Sequence, residues 1–252
     1  MSGHSKWSQI KRQKGAADVK RGATFSRLTN AIIIAAKAGG DPANNFTLKM
    51  AIEKAKQGNM PKDNIDRAIK RGTGEIAGGS IEEALYEAIG PYGVGIIIEV
   101  ATDNKNRTTS EIKNVLNKFG SKLASSGAVT YLFNRKGKIV IDLGDKDREN
   151  IELMAIDAGA NDIDDHGEDL AIYTKVNKLE MVKRNLENQN IVIKEAVLSY
   201  EPKDLIIITN DTEGEKIINL MQSLESLDDV TNIYANFDLS TSLEASISKE
   251  II

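Results

Sequence analysis

Seven cations open this chain, Lys6, Lys11, Arg12, Lys14, Lys20, Arg21 and Arg27, and the same stretch holds one acid, Asp18. Side chains of this type at this density neutralise phosphates and release the counterions condensed on a polyanion. If about five of them meet duplex DNA, log K falls with log salt at a slope near −4.5. Phosphate contacts supply affinity and carry no sequence choice. Trp7 is the one aromatic in the arm placed to stack on unpaired bases, and a return of its ring onto neighbouring helices is an equal alternative. With His4 and Trp7 beside them, these cations form the candidate nucleic-acid-binding set. Lys62, Arg67, Lys70 and Arg71 join it, because they sit on what reads as the second helix of a helix-turn-helix. Any small bundle with a solvated basic face would give the same spacing.

The charge of the chain is divided. Residues 1–75 carry fifteen Lys/Arg against six Asp/Glu, net +9, while residues 76–252 carry eighteen against thirty-one, net −13. The whole has pI near 5.4. One end therefore attracts polyanions that the remainder repels, so nucleic acid is the expected partner.

Catalytic patterns find little support. Zero cysteines remove disulfides and thiolate-ligated metal, and fit a reducing compartment. His4 and His166 are the only histidines and neither stands in a pattern with a nucleophile. Asp162, Asp164, His166 and Gly167 match part of a calcium loop, but Tyr173 takes the place of its bidentate carboxylate, and a hairpin turn accounts for the run better. Gly90, Gly93 and Gly95 precede a strand, and no Gly-Lys-Ser/Thr phosphate loop exists. Glu99 and Asp103 beside Lys105 leave a metal-dependent nuclease as a distant alternative. The same loop offers Asn104, Lys105 and Arg107 as a second candidate contact for nucleic acid, at a helix start where Asn and Thr also serve as caps. No enzyme activity, cofactor or metal is expected.

These residues need elements to hold them. Residues 1–16 read as a basic arm. Phe25, Leu28, Ile32 and Ala35 step by three or four and predict a helix from about Ala17 to Gly39, with Lys20, Arg21 and Arg27 left on its outer or flanking surface. A second helix is predicted from Pro42 to Gln57 with Asp41 as N-cap, and a third from Pro61 to Gly72. A Gly-rich stretch from Gly72 to Gly79 then reads as a linker. Beyond it come a strand at Ile96 to Val100, a helix from Lys105 to Phe119 and a strand from Ala128 to Phe133. Residues 138–200 follow the order strand, helix, strand pair, helix, strand, the split βαβ pattern. A strand at Leu205 to Thr209, a helix from Glu213 to Leu224 and a strand from Val230 to Phe237 complete the sheet begun near Ser80. No apolar run approaches the roughly 18 residues of a membrane span, and the cytoplasm is the default location.

Taken together, several short motifs resemble the YebC/PmpR family. They include Gly3-His4-Ser5-Lys6-Trp7, Lys20-Arg21-Gly22, Gly39-Gly40-Asp41-Pro42, Met60-Pro61-Lys62-Asp63-Asn64-Ile65, Thr102-Asp103-Asn104, Asn106-Arg107-Thr108, Tyr131-Leu132-Phe133 and Asp228-Asp229-Val230. The resemblance runs essentially end to end and departs at Ser121 and Ala124, where glycines are common. It implies an α+β chain: basic arm and three-helix bundle over 1–79, a discontinuous middle α+β domain over 80–134 and 202–240, an inserted ferredoxin-like domain over 135–201, and a tail at 241–252. It also implies a non-enzymatic cytoplasmic regulator that binds DNA, with a translation factor bound to the ribosome and its RNA, active at proline runs, as the alternative. The oligomeric state is left open.

Overall fold

The computed structural model describes residues 21–77, 80–144, 147–165 and 169–240, with the backbone alone at 21–24. They form an α+β structure that divides into two compact units, one of residues 133–203 and one containing 21–132 and 204–240. Among the described residues, no helix is long and apolar enough to cross a membrane.

The larger unit begins with three helices, α1 (Arg21–Ala36), α2 (Phe46–Gln57) and α3 (Lys62–Gly72). Leu28, Ile32, Leu48, Ile52, Ala55, Ile65 and Ala68 recur at helical spacing and form their shared core, which also takes in Ala101 from the adjoining sheet and Ile81 immediately before it. Gly72 lets α3 close on α1, since a Cβ there would stand 2.5 Å from Ile33 O. The second helix starts later than its sequence predicts. Residues 42–44 form a turn tied by Asp41, whose carboxylate accepts from Ala43 N and Asn44 Nδ2, and Asn45 is the N-cap, accepting from Leu48 N at 3.0 Å.

The helices adjoin an antiparallel sheet of order β3-β1-β2-β9, built from β1 (Glu82–Ile89), β2 (Gly95–Thr102), β3 (Lys122–Ala124) and β9 (Val230–Ala235). α4 (Lys105–Lys118) and α7 (Asp211–Glu225) cover one face, where Ile96, Ile98, Val100, Ile112, Leu116, Ile217 and Leu220 are fully or almost fully buried. A parallel pair, β8 (Ile206–Ile208) with β10 (Phe237–Leu239), flanks it. The single strand predicted over 230–237 is broken at Asn236, whose side chain accepts from Gly95 N at 2.7 Å while its carbonyl accepts from Ile206 N. The strand predicted over 128–133 is also absent. Glu87 replaces a ladder there: its carboxylate accepts from the backbone N–H of Gly127, Val129 and Thr130 at 2.6, 2.5 and 2.8 Å, and the chain turns through a 3-10 segment at Thr130–Leu132.

The smaller unit runs β4 (Phe133–Asp142), α5 (Arg148–Ala158), β5 (Asp162–Asp165), β6 (Asp169–Thr174), α6 (Leu179–Asn188) and β7 (Ile193–Pro202). Its sheet has the order β5-β6-β4-β7 with every pair antiparallel, the ferredoxin-like arrangement.

Candidate nucleic-acid interface

Of the sequence-derived set, His4, Lys6, Trp7, Lys11, Arg12, Lys14 and Lys20 lie outside the described residues, as does the side chain of Arg21. Arg27 is the first that can be placed, and its position differs from the expectation of a free outer cation. Arg27 and Asn30 on α1 and Lys37 just past its end tie this helix to the part of the unit that holds the sheet. Arg27 donates through Nε and Nη2 to Leu227 O at 3.3 and 3.0 Å, Asn30 Nδ2 to Ala101 O at 3.0 Å, and Lys37 Nζ to Ile81 O. Burial lowers the Arg27 pKa from the ordinary arginine value, against the opposing pull of Glu225 and Asp228. Its guanidinium is a structural tether. A charged group that satisfies a half-buried carbonyl has a reason to sit there that charge counting cannot reveal.

α3 presents Lys62, Arg67 and Lys70 to solvent, with Asp63 and Asp66 interleaved on the same exposed surface. Lys70 and Arg71 lie in the last turn, where cations complement the helix dipole. Arg71 is half-buried, and its Nη2 lies 4.0 Å from Asp103 Oδ2. α2 adds exposed Lys49, Lys54 and Lys56, which the sequence reading did not single out. Their signal was available as the complement of the core positions Leu48, Ile52 and Ala55 on the same helix.

The second candidate contact is bound up in a network at the C-terminal end of β2. Asn104 caps α4, its side chain accepting from Arg107 N at 3.1 Å. Lys105 pairs with Glu82 at 2.5 Å. Arg107 Nη2 donates to Asp229 at 2.7 Å and to Asp103 at 3.2 Å. Asp229 is buried, and its Oδ2 also accepts from Thr102 Oγ1 at 2.9 Å and Thr108 Oγ1 at 2.6 Å. Burial would raise the Asp229 pKa; donation from Arg107, Thr108 and Thr102 outweighs it and holds the carboxyl below its ordinary range. A shallow polar cavity of about 290 Å³, lined by Ser80, Glu82 and residues 102–106, opens beside this network. The cations of the second contact are thus partnered internally. Asp229 stands in the motif Asp228-Asp229-Val230, but its role has no local signal, since its partners stand more than 120 residues earlier.

The nuclease alternative has its carboxylates apart in role. Glu99 Oε2 accepts from Asn232 Nδ2 at 3.0 Å and Tyr234 OH at 3.2 Å, while Asp103 faces Arg71 and Arg107. Among the described residues, no three His, Asp or Glu side chains form a group that could hold a metal ion.

Two family models match the chain: the TACO1/YebC protein N-terminal domain over residues 5–75, and the TACO1/YebC second and third domain over residues 81–237. A protein of Halothermothrix orenii named "Probable transcriptional regulatory protein" is 43% identical over 99% of this chain and 100% of its own length. A protein of the same name from Pseudothermotoga lettingae is 46% identical over 99% of both. The crystal structure of a conserved hypothetical protein from Aquifex aeolicus superposes with a TM-score of 0.82 at 42% identity, covering 94% of this chain and 98% of that one.

Proposed function

This chain belongs to the TACO1/YebC family, and from that premise we propose that it is a non-enzymatic, nucleic-acid-binding regulator of gene expression. The relatives are named probable transcriptional regulatory proteins, and a transcriptional role favours DNA as the polymer. The observation that carries the reading is the surface of the helical bundle. Lys49, Lys54, Lys56, Lys62, Arg67 and Lys70 are all exposed there, downstream of residues 1–20, which carry five more cations against Asp18. This half grips the sugar-phosphate backbone by charge.

A second reading, a translation factor held on ribosomal RNA, is favoured by one feature of α3. A helix that reads a major groove would carry Asp63 and Asp66 into the polyanion along with its cations. Backbone gripping of a folded RNA requires no such insertion.

The test is a titration of the full chain against DNA and RNA duplexes of equal length, with the triple variant Lys62→Glu, Arg67→Glu, Lys70→Glu alongside. The reading expects wild type to bind and the variant's salt slope on duplex DNA to be shallower by about 2.7, three ions' worth. Identical slopes would remove the bundle from the interface. Crosslinking in cells, followed by sequencing of attached DNA and RNA, then separates the two readings.

A further inference from the structure

α4 carries a polar stripe that neither the network at its start nor the core beneath it uses. Asn106, Ser110, Lys113, Asn114, Asn117 and Lys118 recur at spacings of three and four, so they line one face, and all six are exposed. Residues 104–123 hold five Lys/Arg against one Asp/Glu, net +4, inside a region whose total is −13. The one acid of α4, Glu111, is half-buried on the flank facing Arg107. Lys105 and Arg107 are neutralised by Glu82 and Asp229, whereas Lys113 and Lys118 form no ion pair among the described residues. Lys118 stands over the Phe119 ring at 6.0 Å, and both border a groove of about 530 Å³ completed by Asn219, Gln222, Ser223 and Ser226 of α7 and its end. No carboxylate lines that groove.

We infer that this stripe and groove form a second nucleic-acid contact, separate from the bundle, that takes the sugar-phosphate backbone of a strand laid along α4. The inference deepens the proposed function and rests on it. Lysine, amide and hydroxyl donors without interleaved carboxylates are the side chains that meet phosphate and sugar oxygens. From Asn106 to Lys118 the helix rises about 18 Å, the span of about five nucleotides at 3.4 Å per strand step. An acidic protein partner fits less well, because the face lacks the exposed aromatic or aliphatic anchors around which protein interfaces are built.

The experiment uses the full chain with Lys113→Glu and Lys118→Glu combined, and a milder pair, Lys113→Gln and Lys118→Gln. Both sites are exposed, so unchanged melting temperature accompanies the result. Short RNA and DNA oligomers, single-stranded and duplex, are titrated across a salt series. The contact predicts a loss of about tenfold or more in affinity for the reversal pair, and a slope shallower by about 1.4 on single strands or about 1.8 on duplexes for both pairs. The polymer with the larger loss is the ligand. Binding curves that superpose on wild type at every salt, while the bundle variant still weakens binding, overturn this inference and leave the proposed function standing. Loss of binding to polyglutamate with unchanged nucleic-acid binding assigns the face to an acidic protein and also overturns it. A wild-type chain that binds neither polymer overturns both.

Discussion

Asp229 joins the end of β2 and the start of α4 to a segment more than 120 residues later through one carboxylate. Asp229→Ala takes from the buried Thr102 hydroxyl its carboxylate acceptor, leaves Thr108 with Asn104 O and Thr102 Oγ1 in place of its shortest bond, and removes Arg107's nearer acid. The expected cost is about 2 to 4 kcal/mol, read as a lower midpoint in chemical unfolding with an unchanged slope. The sign of the pH dependence follows from the depressed carboxyls of Asp229 and Glu87. Each binds its proton more weakly folded than unfolded, so its contribution is complete above the ordinary carboxylate range of about 4 and is lost as pH falls through the lower folded values. Wild type loses melting temperature steeply on acidification below that range. Asp229→Asn starts lower at neutral pH and falls less steeply, and parallel profiles for the two proteins would contradict the assignment.

Elements show where sequence pattern succeeds and where tertiary contacts override it. The six helices expected from periodicity and punctuation beyond α1 are all present, because Leu, Ile and Ala recur on their inner faces and Asn or Gly marks their ends. β1 had no counterpart in the expectations. Glu82-Glu83-Ala84-Leu85-Tyr86-Glu87-Ala88-Ile89 consists largely of helix formers, yet pairing with β2 from Glu82↔Thr102 to Ile89↔Gly95 makes it a strand. Its weak alternation of Ala84, Tyr86 and Ala88 was the available signal. The turn over 125–132 depends on Glu87 in that same strand. Burial would raise the Glu87 pKa, and donation from the backbone of Gly127, Val129 and Thr130 overcomes it. Glu87→Gln keeps the shape and forfeits charge-assisted acceptance from two oxygens. Faster hydrogen exchange confined to the amides of Gly127, Val129 and Thr130, with a loss of about 1 to 3 kcal/mol, is expected. Unchanged exchange at those amides would mean that the turn holds itself. The site was legible only in part for a related reason. Charge counting finds cations, but it cannot distinguish Lys62, which faces water, from Arg27, which satisfies Leu227 O across 200 residues of sequence.

At the scale of the whole molecule the division of charge remains the governing feature, +9 over residues 1–75 and −13 over the rest. α1 is tethered to the part that holds the sheet by Arg27, Asn30 and Lys37, so the basic bundle and the acidic sheet belong to one compact unit. The polymer is therefore drawn first to the basic bundle, and the net negative charge of the remainder disfavours most other orientations. Affinity as a function of ionic strength tests this most directly. The full chain and a variant with Lys6, Lys11, Arg12 and Lys14 all changed to Glu are titrated with the same RNA and DNA across a salt series. The account predicts a steep negative slope of log K against log salt for the wild type, made shallower by about 2.8 to 3.6 in the variant. Equal slopes and equal affinities for the two proteins at every salt concentration would contradict it.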